Sequence, residues 1–379
     1  MSKLQPIFKE YISYITKYKE KYGDKTVVLM QVGSFYEIYA ILNDKEQLGE
    51  INIYHICQNL MNISVANKTS TILMGGFQLP YSAKFIKLLI DHNYTVVLVH
   101  QVSEPPNPDR EVTDIISPGT YIEDFNSESN NYMMSVYIEP ISSWTAVGIS
   151  IIDISTGKNY VYQIGENLDT NYWKDELSRL ISYYAPKEFL FQVHNMVLTK
   201  DDIINYWDIQ NATLQLNHYS DSTYESISYQ NELLQKVFEF ETMIPPIVQL
   251  DLIHKHELRK SYIYMLQYIN EHKVDLLRNI NLPEDIDNIH HLSLTSNSVR
   301  QLNVINNYSY YKGKNESLFS ICDDCGFIGG KRLLKQRLLY PSINPDILQL
   351  RYDRVDCMID NHFYKELKEN IHKLTDLDK

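Results

Sequence analysis

Five consecutive residues, Gly33-Ser34-Phe35-Tyr36-Glu37, offer the clearest chemistry in this chain. They follow Thr26 to Val32, an apolar, β-branched run bounded by Gly33 that reads as a buried strand. An aromatic residue just past a strand-ending glycine can stand clear of the surface. Against duplex DNA such a side chain enters the minor groove and unstacks a base step, at a cost of about a few kcal/mol. A mismatched step costs less to unstack and bend, so deformability becomes the specificity signal. Glu37 lies two residues past Phe35, on the same face of an extended backbone. Phosphates repel a carboxylate; it is useful there when it accepts a hydrogen bond from a base N–H or is itself protonated. By residue type alone the same Phe-x-Glu also reads as a strand-end aromatic packed in a core beside a solvated glutamate.

Other constellations are weaker. Cys322-Asp323-Asp324-Cys325 has the spacing of a zinc or redox pair. No second CxxC supplies two further ligands, and the two aspartates raise the thiol pKa by like charge. The pair reads as two unlinked thiols, and no metal is expected. Gly326-Phe327-Ile328-Gly329-Gly330-Lys331-Arg332 superficially suggests a phosphate loop, but Cys325 and Arg332 break G-x-x-x-x-G-K-[ST], which occurs nowhere else. No cofactor is therefore expected in this chain. His254, His256, His272, His290 and His291 lack H-E-x-x-H spacing and read as structural or surface residues. With no G-x-S-x-G and no carboxylate pair suited to hydrolysis, the chain by itself is expected to catalyse nothing.

The elements that must position Phe35 and Glu37 follow from length and pattern. A chain of 379 residues, 44% hydrophobic, suggests two or three globular domains. Helical spacing of Phe8, Ile12 and Ile15 ends at Gly23. Strands are expected at 26–32, 72–77, 95–102 and 112–116, with a helix at 83–91; residues 33–37 read as a turn and 41–70 as mixed polar sequence. This alternation predicts a compact α/β domain over 1–122. A polar linker at 123–131 precedes strands at 133–138, 144–154 and 159–163, a helix at 172–184 and a strand at 188–192. These predict a second α/β domain over 132–215. Long helical periodicities near 229–240, 245–273, 330–340 and 344–378 predict an all-helical part over 225–379. The fold class is thus α/β followed by all-α.

The formal net charge of −13 argues mildly against a nucleic-acid partner. It is unevenly spread: residues 1–118 carry roughly −1. A locally neutral or basic face can still meet DNA without a large counterion-release contribution. The 30 tyrosines show no spacing that would make a stacking platform and read as the codon bias of an AT-rich genome. No run of about 18 apolar residues spans a membrane. Four cysteines and an N-terminus without an apolar signal core suggest a reducing, intracellular location rather than secretion.

Val28-Leu29-Met30-Gln31-Val32-Gly33-Ser34-Phe35-Tyr36-Glu37-Ile38-Tyr39 closely resembles the first signature of the MutS family of DNA mismatch-repair proteins, an apolar strand followed by Gly-Asp-Phe-Tyr-Glu. Similar segments follow in the family's order. They are Leu60 to Lys68, Met74-Gly75-Gly76-Phe77 with Pro80-Tyr81-Ser82-Ala83, Asn93 to Gln101, and Arg110-Glu111-Val112 with Ser117-Pro118-Gly119-Thr120. Val147-Gly148-Ile149 with Asp153 to Gly157 looks like the opening of the connector domain. Leu294-Thr295 through Leu302, Ser317-Leu318-Phe319, Arg332-Leu333-Leu334 and Leu338 to Pro341 look like the start of the helical core. The match covers nearly the whole chain, with a weak stretch at 195–285.

The resemblance implies a mismatch-recognition domain over 1–122, a ribonuclease-H-like connector over 132–215 and an incomplete core/lever domain over 225–379. It implies that Phe35 stacks on a mispaired base and Glu37 hydrogen-bonds it, that Gly33 and Tyr36 shape the turn, and that Met74 and Gly75 lie near the minor groove. The partner would be double-stranded DNA with mismatches or small loops. ATP, Mg and self-association would belong to C-terminal parts of a longer parent. Ser34 in place of Asp, Ser82 in place of His, His100 in place of Glu and a longer Asn43 to Gln58 insertion depart from the pattern; they bear on substrate preference more than on the basic role. A divergent module for branched DNA or protein partners, or the front of a MutS–nuclease fusion, are the alternatives; the retained Phe35 and Glu37 speak against the first.

Overall fold

The computed structural model describes residues 5–42, 51–104, 108–122, 130–167, 169–219, 222–286, 291–292, 294, 296–305, 317–360 and 362–371. Residues 123–129 of the expected linker at 123–131, and residues 43–50 of the Asn43 to Gln58 insertion, lie outside them. In chain order the first unit runs α1 (Pro6–Tyr22), β1 (Thr26–Val32), β2 (Phe35–Ile41), a π-helical turn (Tyr54–Leu60), β3 (Ala66–Thr69), β4 (Ile72–Gln78), α2 (Ser82–Asp91), β5 (Thr95–Gln101) and β6 (Arg110–Ile116). Its sheet has the order β3-β4-β2-β1-β5-β6, in which β1 and β5 run parallel and the other neighbours antiparallel.

The centre of that sheet is buried on both faces, as the continuous apolar run of β1 requires. Val27, Val28, Leu29 and Met30 are all fully buried, at about 1.5–3 kcal/mol per large side chain. One face is covered by α1, whose Phe8, Tyr11 and Ile15 recur at helical spacing. The other is covered by α2, through Phe85, Ile86 and Leu89. Where a turn is expected at 33–37, the chain turns only at Gly33-Ser34 and re-enters the sheet as β2. Both faces of β2 are partly covered, so its sequence lacks the clean alternation that marks a strand.

The second sheet is built from β7 (Tyr132–Ile141), β8 (Trp144–Asp153), β9 (Lys158–Ile164), β10 (Glu188–Val193), β11 (Thr213–Leu216) and a two-residue β12 (Glu284–Asp285), in the order β11-β10-β7-β8-β9-β12. β7, β8 and β9 form an antiparallel meander, and β10 and β11 add in parallel beside β7. This is consistent with the ribonuclease-H-like expectation. Helices α3 (Tyr172–Tyr184) and α4 (Lys200–Trp207) contribute Leu177, Leu180 and Ile203 to its core.

The helices of the chain's later part are α5 (Ile227–Phe238), α6 (Pro246–Gln249), α7 (His256–His272), α8 (Ser296–Gln301), α9 (Leu318–Cys322), α10 (Ile328–Leu339), α11 (Pro345–Asp360) and α12 (Phe363–Ile371). They do not form one helical unit. α7 lies on β7 and β8, buried on nearly every side, and β12 joins β9. The cause is a seam of small residues. A Cβ on Gly148 of β8 would sit 2.1 Å from the backbone carbonyl carbon of Glu257, so strand and helix backbones touch there. Alongside, the Ser150 and Ser261 hydroxyls bond at 2.7 Å, and Ser261 also donates to the Ser135 carbonyl at 2.9 Å.

The same helix ties the two units together. Glu188 of β10 is fully buried and accepts from the Ser117 hydroxyl (2.5 Å), the Gly119 N–H (2.9 Å) and the Tyr268 hydroxyl (2.7 Å). Burial pushes its carboxyl pKa up, against these three donors. Nearby, Lys21 of α1 meets Glu271 of α7 at 2.6 Å, and the Gln215 amide donates to the Tyr22 carbonyl at 3.1 Å. Tyr22, His218, Tyr268 and His272 pack ring against ring in this joint. Part of the tyrosine surplus thus has a structural use that its spacing in sequence does not reveal.

Two outcomes follow. Gly148→Ala should cost about 1–3 kcal/mol or more, because backbone cannot yield as a side chain can. Gly165→Ala, with nothing within 4 Å of its Cβ, should be near neutral; urea unfolding of both variants measures the difference. His272 is buried, its Nδ1 2.8 Å from the Tyr268 carbonyl, and burial holds its pKa down to about 3. A folded pKa below the unfolded value of about 6.5 contributes stability above pH 6.5 that is lost as pH falls toward 3. Between pH 6.5 and 5 the unfolding free energy should therefore fall by about 1.4 kcal/mol per pH unit from this residue. The slope in His272→Gln should be shallower by that amount.

Candidate nucleic-acid interface

The β1–β2 hairpin closes on the Val32–Phe35 pair with only Gly33 and Ser34 between. Gly33 has φ +60° and Ser34 does not have positive φ, the pattern of a type II′ turn with glycine at its first central position. The turn is gripped from the neighbouring strands. The Gly33 N–H donates to Gln101 Oε1 at 3.2 Å, the Gln31 amide donates to the Gly33 carbonyl at 3.1 Å, and the Gln101 N–H donates to Gln31 Oε1 at 3.1 Å. Arg110 Nε donates to the Gln31 carbonyl at 3.2 Å, and its guanidinium pairs with Glu10 at 3.2 Å. Just past β4, the Leu79 N–H donates to the Ser34 carbonyl at 3.0 Å.

Phe35, Glu37 and Tyr39 share one face of β2, and exposure falls inward along it. Phe35 at the tip is 40% exposed, whereas Tyr39 is 3% exposed and meets the rings of Phe8 and Tyr11 edge-on at 5.1 and 5.2 Å. Glu37 lies between them and accepts a hydrogen bond from the Tyr39 hydroxyl. Lys68 Nζ stands 3.8 Å from the Glu37 carboxylate and 3.4 Å from the Met74 sulfur. Lys68 occupies the register shift between Asn67 and Thr69 in the β3–β4 ladder, a bulge that re-aims its side chain. The site is thus an open ring, a carboxylate acceptor behind it and a half-exposed ammonium beside that acceptor.

The expected residues divide between the two faces. Met74 pairs with Tyr39 and stands on the Glu37 face. Gly75 faces the other way, and a Cβ there would lie 2.5 Å from the Cys57 sulfur. The bare position opposite Glu37 is instead Gly76, where a Cβ would come within 2.8 Å of the Tyr36 carbonyl oxygen and 3.4 Å of Glu37 Cγ. Tyr36 points beneath the sheet and is buried beside Phe77, with its hydroxyl bonded to His100 Nε2. Burial, with Asp114 adding to it, pushes the Tyr36 pKa up to about 12. His100 in turn reaches the Thr113 hydroxyl at 3.1 Å, so the residue that departs from the family pattern here ties Tyr36 of β2 to β6.

Sequence reasoning passed over Lys68, Gly76 and the Gln31–Gln101 pair. The first two depend on strand register, and the third on β1 and β5 being neighbours. Among the described residues, no group of three or more His, Cys, Asp or Glu side chains could hold a metal ion, and no helix is long and apolar enough to cross a membrane. The arrangement can stack against a planar group and accept one hydrogen bond from it.

Comparison with known proteins places this site in a family. Residues 5–125 match the family model described as MutS domain I, and residues 297–379 match that described as MutS domain III. Together these cover more than half of the chain; the second sheet falls between them. A protein named a DNA mismatch repair mutS homolog from Acanthamoeba polyphaga mimivirus is 29% identical, over 100% of this chain and 37% of that protein. DNA mismatch repair protein MutS of Caldanaerobacter subterraneus subsp. tengcongensis is 27% identical, over 99% of this chain and 40% of its own length. That of Petrotoga mobilis is 24% identical, over 100% and 42%. The chain spans about two-fifths of the length of these relatives. It belongs to the MutS family, with matches to the family's first and third domains in order on either side of a second mixed sheet.

Proposed function

We propose that this stretch reads duplex DNA for mispaired bases in mismatch repair, with Phe35 as the wedge and Glu37 as the hydrogen-bond acceptor. The observation that carries the reading is the Phe35 ring, 40% exposed at the tip of a hairpin whose turn makes three hydrogen bonds, with Gln31, Gln101 and Leu79, with two more bracing Gln31 beside it. A backbone held that firmly loses little freedom when the ring inserts, so more of the stacking energy remains to offset unstacking of the base step. The names of the relatives, all DNA mismatch repair proteins, support the same reading. Glu37 sharpens the distinction: its charge opposes phosphates everywhere, and a displaced mispaired base offers it an N–H. Lys68, 3.8 Å away, limits that repulsion.

The stretch itself is proposed to be a sensor with no catalytic step, since its sequence holds no G-x-x-x-x-G-K-[ST] loop. The test is competition between a G·T-mismatched duplex and its matched twin for the longest self-associating form that contains these residues. Wild type should prefer the mismatch, and Phe35→Ala should reduce that preference by about tenfold or more, or about 1.4 kcal/mol. Glu37→Gln should bind the matched duplex more tightly and so narrow the ratio. Equal binding to both duplexes in wild type, unchanged by Phe35→Ala, contradicts the reading.

A further inference from the structure

A second site lies away from the hairpin, where α10 meets the second sheet. Two adjoining cavities, of about 340 and 70 Å³, share Tyr132, Arg332 and Gln336 as walls. Lys158 of the β8–β9 hairpin lines the larger one and Lys335 of α10 the smaller. Three cations thus converge, and among the described residues no carboxylate lines either cavity. Arg332 is buried to 8% exposure. Among the described residues Lys335 makes no hydrogen bond or ion pair, and burial pulls its pKa down. Removing a lysine from water with no anion beside it is costly, and an anionic ligand would offset that cost.

The rest of the lining indicates which anion. The rings of Tyr132, Tyr160 and Tyr184 adjoin one another, with centroids 5.1 to 6.5 Å apart, and form an aromatic wall on the sheet side. The larger cavity falls in the range of about 300–1,000 Å³ typical of small-molecule pockets. The glycine-rich stretch that fails as a phosphate loop in sequence supplies Gly329 and Gly330 of α10 to the lining of the larger cavity. We propose that this cavity binds a nucleoside phosphate, its phosphates against Lys158, Arg332 and Lys335 and its base against the tyrosines.

The experiment is calorimetric titration of the 379-residue chain with ADP, with pyrophosphate and adenosine as competitors that probe the two halves of the pocket. One saturable site is expected, displaced by pyrophosphate and weakened at least tenfold in both Lys335→Met and Lys158→Ala. Lys335→Met should melt no lower than wild type without ligand, because it removes an uncompensated charge; this separates loss of binding from loss of fold. Absence of saturable ADP binding to the wild-type chain, or binding that Lys335→Met leaves unchanged, overturns the proposal.

Discussion

A buried carboxylate sets how the two sheets meet. Glu188 has no cation among the groups that bond it; a hydroxyl from the loop after β6, an N–H from the same loop and a hydroxyl from α7 hold it. Each such bond to a charged acceptor is worth about 1.5–3 kcal/mol, against a desolvation cost of several kcal/mol for the ion. The joint is therefore favourable only when loop, strand and helix are all in place. α7 can reach it because Gly148 lets the helix backbone rest on β8. The loop follows β6 directly, and β6 pairs along β5. At the far end of that ladder, Gln101 and Arg110 hold Gly33 and Gln31. One hydrogen-bonded framework thus runs from the buried carboxylate to the turn that presents Phe35.

This framework fits the proposal that an acidic chain carries a DNA-reading site. The charge of −13 belongs mostly to residues beyond the first unit. At the hairpin itself, one glutamate faces one lysine. On the proposed reading, binding at this site draws little on counterion release and discriminates through the energy of deforming a base step. Rigidity then matters more than charge, and the hydrogen bonds around Gly33 supply it.

The family was legible in the sequence from the order of its segments, and the candidate site stood out because the glycine, aromatic and carboxylate of the hairpin are contiguous. α1, β1, α2 and β5 were legible for a different reason: each presents one clear apolar period. β2 was not, since α1 covers one of its faces and Phe77 packs against the other. The position of α7 was not legible either. A helix buried on nearly every side shows no polar face, and the small-residue seam that seats it, Ser135, Gly148, Ser150 and Ser261, is spread over 127 positions of the chain. Gly75 and Gly76 were indistinguishable as neighbours in sequence; strand register puts one under Cys57 and the other beside Glu37.

The most direct measurement is photocrosslinking from position 35. A photoreactive phenylalanine analogue replaces Phe35, and a matched control carries it at the exposed Tyr206 of α4. Each protein is irradiated on a duplex with one defined mismatch. The account predicts adducts from position 35 confined to the mispaired base and its immediate neighbour, moving with the mismatch when it is relocated, and none of that pattern from position 206. Adducts from position 35 scattered along the duplex irrespective of the mismatch would contradict it.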